Sequence, residues 1–309
     1  MASQTARRQT RLETPQAARP PGTATAACQL LELVRRSVRQ RTISAVPATG
    51  SSSTESAADD TADASSQRIP TSRSLLEWQP TVSVVIPAYN AEATIAECIE
   101  ALLAQDYPKG LTEIVVVDNG STDDTRVIAS RYPVTIAIAD DIRTSYAARN
   151  HGIACSNGEV IALTDSDCIP TPTWLSDLIA PLADMNVGAS LGTVEAAQPE
   201  TLCEEFTERV QPFARPEPRG LKTLLTINVA LRRRTLEALG CFDERLPTGG
   251  DVDLGWRLQE RLGLTFADAP KAKVFHRHRR RFTDVFRQYR RYGLSEVLLA
   301  TIYEGEPVA

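Results

Sequence analysis

A pair of carboxylates two residues apart is the sharpest chemical signal in the chain. Asp165 and Asp167 bracket Ser166 directly after the strand-like run Glu159–Leu163. Two carboxylates at i and i+2 of a turn can share a hard divalent cation, or divide labour between that cation and a ribose hydroxyl. A cation so held bridges phosphate oxygens and neutralises a departing diphosphate. Acidic triplets also occur in solvated turns; placement directly after a buried strand sets this one apart. A further acid, Asp118, comes straight off the run Glu113–Val117, where it can accept a hydrogen bond from the edge of a base. The rest of that turn, Asn119-Gly120-Ser121-Thr122-Asp123, is built of turn and cap residues, and Asp123 or Thr122 is expected to cap the next helix.

These placements depend on the elements that carry them. Val82–Ile86, Glu113–Val117, Val134–Ile138 and Glu159–Leu163 read as strands, and near-continuous Val/Ile runs fit strands covered on both faces. Glu92–Gln105, Thr122–Arg131 and Tyr146–Cys155 read as helices between them. Strands alternating with helices predict parallel βαβ units, whose ligands bind beyond the carboxyl ends of the strands. Three such ends carry polar residues: Pro87-Ala88-Tyr89-Asn90, the Asp118 turn, and Thr164-Asp165-Ser166-Asp167. After Asp167 the order is less regular. Helices are expected near 173–183, 201–210, 234–239, 252–262 and 283–303, around strands near 187–194, 226–232 and 264–275. The fold class is α/β, a Rossmann-type, mostly parallel sheet flanked by helices.

Composition narrows the possibilities. With 309 residues, 42% hydrophobic and 24% charged, the chain can bury a large core. Lys and Arg number 34 against 39 Asp and Glu, a net charge of −5, which argues against a surface built for nucleic acid. No apolar run approaches the roughly 18 residues of a membrane span, and the first residues lack the apolar stretch of a secretory leader. The six cysteines form no CxxC pair, so a disulfide framework and a zinc knuckle are not suggested and a cytoplasmic setting is expected. Charge is uneven: the first 41 residues hold eight Arg and two Glu. The first 25 are polar and Pro-interrupted, hence disordered. Residues 28–41 carry the pattern of a basic amphipathic helix for an anionic membrane, but a solvated, mostly unfolded tail is preferred. Residues 42–74, rich in Ser, Ala, Thr and Asp, read as a linker. The expected organisation is a disordered basic tail and linker over 1–79 and one folded domain over 80–309.

Six stretches in order and spacing resemble a family 2 glycosyltransferase of the GT-A fold: VSVVIPAYNAE (82–92), EIVVVDNGSTDDT (113–125), AARNHGI (147–153), GEVIALTDSDC (158–168), GGDVDLGWRL (249–258) and VFH (274–276). The resemblance implies that Pro87, Tyr89 and Glu92 line the nucleotide pocket. It also implies that Asp118 holds the base, usually uracil, that Arg149 sits near the phosphates or the sugar, and that Asp165 contacts the ribose. Asp167 would bind Mg²⁺ or Mn²⁺, with His276 completing the metal or diphosphate site and His278 as its substitute. The implied partners are a nucleotide-diphosphate sugar and a hydroxyl acceptor, lipid-linked or membrane-associated, with no nucleic acid.

Asp251 is the base that the resemblance implies. It follows Gly249-Gly250 and opens a helical pattern through Leu254, Leu258 and Leu262. At a helix N-terminus the dipole is expected to keep its carboxylate ionised, ready to take the proton of an acceptor hydroxyl. The simpler alternative is an N-cap. The family commonly carries Glu before this Asp; here Gly250 stands there, and Asp253 is the fallback base. Further on, His276–Tyr292 holds seven Arg and one Asp, with Phe282, Val285, Phe286, Tyr289 and Tyr292 at helical spacing. Three uses compete for this basic face: a platform for a lipid-linked phosphate or membrane surface, a clamp on the donor diphosphate, and a solvated face balancing nearby acids. The leading expectation is an inverting, metal-dependent glycosyltransferase, peripheral to the inner face of the membrane. A nucleotidyltransferase and a non-catalytic sugar-nucleotide-binding or membrane-docking protein are the alternatives.

Overall fold

A computed structural model describes residues 78–141, 143–210 and 220–303, all within the unit Ala57–Ala309. The expected basic tail, 28–41 helix and 42–74 linker lie outside the described residues. The first half runs β1 (Val82–Ala88), α1 (Ile95–Leu103), β2 (Thr112–Asp118), α2 (Thr125–Ala129), β3 (Thr135–Ile138), α3 (Ser145–Ala154) and β4 (Val160–Thr164). The second half runs β5 (Cys168–Pro170), α4 (Trp174–Ile179), β6 (Val187–Ala196), α5 (Leu202–Val210), β7 (Asn228–Arg232), α6 (Arg233–Leu239), α7 (Gly250–Leu262), β8 (Thr265–His276) and α8 (Phe282–Ile302). Both α1 and α2 are shorter than their apolar patterns predict, because the turns before them are tied to each other.

The strands are continuous apolar runs because both faces are covered. Along β1, Val84 and Ile86 join one core with Ile95, Ile99 and Leu102 of α1, while Val85 joins another with Tyr146, Ala148 and Ile153 of α3. This is the two-residue period of a strand serving two cores at once. α3 lies tight against the sheet at Gly152, where a Cβ would come within 2.4 Å of Val85 Cγ1 and 2.7 Å of Val117 Cγ2. That close approach brings the first turn of α3 to the carboxyl ends of the strands.

All the strands form one sheet of order β3-β2-β1-β4-β7-β6-β8-β5. From β3 to β4 every pairing is parallel, as expected. β7 enters antiparallel to both β4 and β6, β8 runs parallel to β6, and β5 closes the edge antiparallel to β8. The far half is therefore mixed. Asn228 pins it: Trp174 Nε1 donates to its Oδ1 at 2.8 Å, and its Nδ2 lies 2.9 Å from both Thr193 O and Ala272 O.

Asn228 is buried, so replacing it strands an indole N–H and two carbonyls without partners. Asn228→Leu is expected to lower the unfolding free energy by about 3 kcal/mol or more, read as an earlier urea midpoint.

Candidate active site

The parallel register sets Ala88 beside Asp118, and Val85 beside Leu163, so the polar ends of β1, β2 and β4 share one rim. The two loops at β1 and β2 are laced together. Asn90 N donates to Ser121 Oγ (3.0 Å), Thr122 N to Asn90 Oδ1 (2.8 Å), Glu92 N to Asp123 Oδ2 (3.1 Å) and Asp124 N to Glu92 Oε2 (3.2 Å). Glu92 thus braces the turn with its side chain exposed, and Asp123 rather than Thr122 receives the Thr125 N–H at 3.1 Å. Tyr89 stands 54% exposed on the same loop, and Pro87 is half-buried beside Val117. Asp118 is buried and accepts the Ser121 N–H at 3.1 Å through Oδ1. Asn119 Nδ2 reaches Thr144 O at 3.2 Å, which ties this turn to the cap of α3.

α3 then supplies two bridges. Thr144 Oγ1 caps it by accepting the Ala147 N–H at 3.1 Å. Arg149, 3% exposed, donates through Nη2 to Asp165 Oδ1 and through Nη1 to Ser145 O at 3.3 Å. The guanidinium is therefore partnered inside the protein, not on the helix surface. Tyr146 sits one turn earlier, its ring centroid 5.8 Å from the Arg149 guanidinium. Its phenol donates to Asp251 Oδ1 at 3.0 Å. One helix thus joins Asp165, after β4, to Asp251, at the start of α7. The apolar pattern of 146–155 gave Tyr146 no role beyond the core; its partner lies 105 residues away.

Asp167 faces a different wall. The β5–β8 ladder pairs Cys168 with His276, and Asp167 Oδ1 lies 3.5 Å from His276 Nε2. Arg279 Nη1 approaches Asp167 Oδ2 at 3.7 Å. His278 stands behind, its ring 5.3 Å from that of His276, and burial lowers its pKa, so it sits neutral. His276 and not His278 faces the carboxylate. Among the described residues no group of three His, Cys, Asp or Glu side chains gathers to hold a metal ion. One carboxylate with one imidazole still fits Mn²⁺ or Mg²⁺, which take few protein ligands and complete their shells with phosphate oxygens and water. Among the described residues, Asn119 Oδ1, Arg149 Nε and Thr164 Oγ1 are buried polar atoms without a hydrogen-bond partner, and all belong to this rim. Buried polar atoms without partners are uncommon, and a ligand or water at the rim would satisfy these three.

The two candidate bases differ sharply. Asp253 is 1% exposed; Arg257 Nε donates to its Oδ2 at 2.8 Å and Tyr303 OH to its Oδ1 at 2.8 Å. Both oxygens are committed to the fold, which removes Asp253 as the fallback base. Asp251 receives Tyr146 OH and Val252 N, both at 3.0 Å, on Oδ1. Burial raises its pKa above the ordinary carboxyl value, outweighing the bonds from Tyr146 and Val252 and the charge of Arg149. A raised carboxyl is a stronger base.

Comparison with known proteins bears on the family and the fold. The model of glycosyl transferase family 2 matches residues 83–232. Glycosyltransferase AglE of Haloferax volcanii is 35% identical over 196 residues, covering 61% of this chain and 64% of that protein. The chain spans about half to two thirds of the length of the curated relatives it matches. Among solved structures, a mannosyltransferase from Pyrobaculum calidifontis in complex with GDP-Man and Mn²⁺ has 22% identity and a TM-score of 0.53, covering 86% of this chain and 70% of its own. Glucosyl-3-phosphoglycerate synthase from Mycobacterium tuberculosis, in complex with Mn²⁺, UDP and glucosyl-3-phosphoglycerate, has 24% identity and a TM-score of 0.54, covering 72% of this chain and 80% of its own. These structures share the fold.

The two acids separate by stability. Asp253→Asn leaves buried Arg257 without its counter-charge and should lower the unfolding free energy by about 3 kcal/mol. Asp251 binds its proton more tightly folded than unfolded, so its ionisation weakens the fold as pH rises above the ordinary carboxyl range. Asp251→Asn should therefore match or exceed the wild type in urea unfolding at pH 7.

Proposed function

Residues 83–232 form a domain of glycosyl transferase family 2, and on that premise we propose that the protein transfers a sugar, with inversion, from a nucleotide-diphosphate sugar to a hydroxyl acceptor. The observation that supports this reading is the bridge through α3, which ties Asp165 and Asp251 to one helix and so allows one to serve the donor and the other the acceptor. Asp118 takes the edge of the base, and a UDP-sugar is the donor proposed. Asp165, held by Arg149, takes the ribose. A divalent cation on Asp167 and His276 supplies charge neutralisation to the departing diphosphate. Asp251 removes the acceptor's proton as that oxygen attacks the anomeric carbon from the side opposite the diphosphate. The new oxygen–carbon bond forms as the bond to the diphosphate oxygen breaks, and configuration inverts. Arg279, next to Asp167, adds positive charge where the diphosphate leaves.

The face of α8 speaks to the acceptor. Phe282, Phe286, Tyr289 and Val297 are exposed along one stripe, flanked by Arg287, Arg290 and Arg291. An aromatic stripe beside arginines suits a helix resting on anionic lipid, which supports a membrane-borne carrier as the acceptor. No described helix is long and apolar enough to cross a membrane.

Pure protein with Mn²⁺ and a panel of sugar nucleotides should release nucleoside diphosphate, and Asp251→Asn should lower that rate by roughly 10²–10⁴-fold. Pyrophosphate formed from a nucleoside triphosphate and a sugar phosphate would mark a nucleotidyltransferase instead. Tight donor binding without turnover would mark a binding protein. Co-sedimentation is expected with phosphatidylglycerol vesicles, not with phosphatidylcholine, and should fall on Phe286→Glu. Equal binding of wild type and variant removes the lipid reading.

A further inference from the structure

Gly250 and Tyr146 form a matched pair. A Cβ at Gly250 would lie 2.9 Å from Tyr146 Cδ2 and Cε2 and 3.1 Å from its Cγ. The ring fills the space that a side chain before Asp251 would need. On its flank the ring stacks on Phe242, with centroids 5.5 Å apart and planes at 23°. The preceding Gly249 takes φ 78, in the left-handed region, and its Cβ would meet Leu299 Cδ1 at 2.9 Å. The start of α7 is thus clamped between α3 and α8, with glycines at both points of contact.

We propose that Tyr146 is a positioning residue for Asp251: its hydroxyl fixes Oδ1 and turns Oδ2 toward the acceptor, and residue 250 is glycine to admit the ring. This rests on reading Asp251 as the base. Tyr146 OH and Val252 N both donate to Oδ1, and no described group donates to Oδ2. The phenol keeps its proton to donate, because burial and then the charge of Asp251 push its ionisation well up. From α3, Tyr146 and Arg149 are the groups that act on Asp251. On its own helix the nearest acid, Asp253, is already held by Arg257 and Tyr303. At α8 the neighbours of the glycine pair are Leu299 and Ser295, which are uncharged. The hydroxyl thus joins Val252 N in fixing where the carboxylate points, and works against burial in setting how tightly it holds its proton.

The test is Tyr146→Phe, which keeps the ring on Phe242 and over Gly250 and removes only the hydroxyl. Carboxyl ¹³C NMR, with the Asp251 resonance assigned through Asp251→Asn, follows its titration without turnover. The lost bond favours the charged form, so the Asp251 midpoint should move to higher pH in the variant. The acid limb of kcat should move the same way, and kcat should fall about 10–100-fold, a share of what general-base catalysis supplies. The UDP dissociation constant measured with Mn²⁺ should stay near wild type, while the urea midpoint at pH 7 should fall modestly, as a higher Asp251 midpoint requires. Gly250→Ala, which drives the ring off its seat, should reproduce the NMR shift. An unmoved Asp251 titration in Tyr146→Phe, while Asp251→Asn is inactive, overturns the role of Tyr146 and leaves the base intact. A shifted titration with Asp251→Asn as active as wild type overturns both, because the oriented carboxylate would then not be the base.

Discussion

A buried guanidinium must find partners inside the protein, and Arg149 finds a carboxylate in Asp165. Much of the site follows from this one pairing. It requires α3 to sit close on the sheet, which Gly152 permits, and it holds the first acid of the Asp165-Ser166-Asp167 turn at the end of β4. With Asp165 held, Asp167 is directed toward β8, where the ladder presents His276. With α3 seated, Tyr146 arrives at the start of α7 and meets Asp251. The proposed cation wall, nucleotide rim and base therefore share a scaffold of three strand ends and one helix.

The same scaffold shows how stability and chemistry divide between similar residues. Asp251 and Asp253 lie two positions apart on α7, yet one is locked by Arg257 and Tyr303 while the other keeps an oxygen free of described donors. Burial that holds the Asp251 proton more tightly weakens the fold at neutral pH and strengthens the base. Glu92 and Asp123 make the opposite choice. Their carboxylates lace the β1 and β2 loops together and so hold Asp118 at the rim.

Much of this was legible in the residues. Glu113–Val117 and Glu159–Leu163 announced buried strands, and the acids after them sit at the strand ends as expected. The direction of β7 was not legible, because a run buried on both faces looks the same whichever way it points. β5 was hidden by its length, three residues ending in Pro170. Gly250 stood out as a departure from the family pattern, but its cause is a ring more than a hundred residues away. The burial that raises the Asp251 pKa was not legible for a related reason: a helix N-terminus can be read along the chain, whereas burial comes from residues packed across it.

A crystal structure with a UDP-sugar and Mn²⁺ tests the central claim most directly. The account predicts the base against Asp118, the diphosphate beside Asp167 and His276, and the anomeric carbon facing Asp251 across Tyr146. A nucleotide bound away from the β1–β2–β4 rim, or one whose sugar points away from α7, would contradict it.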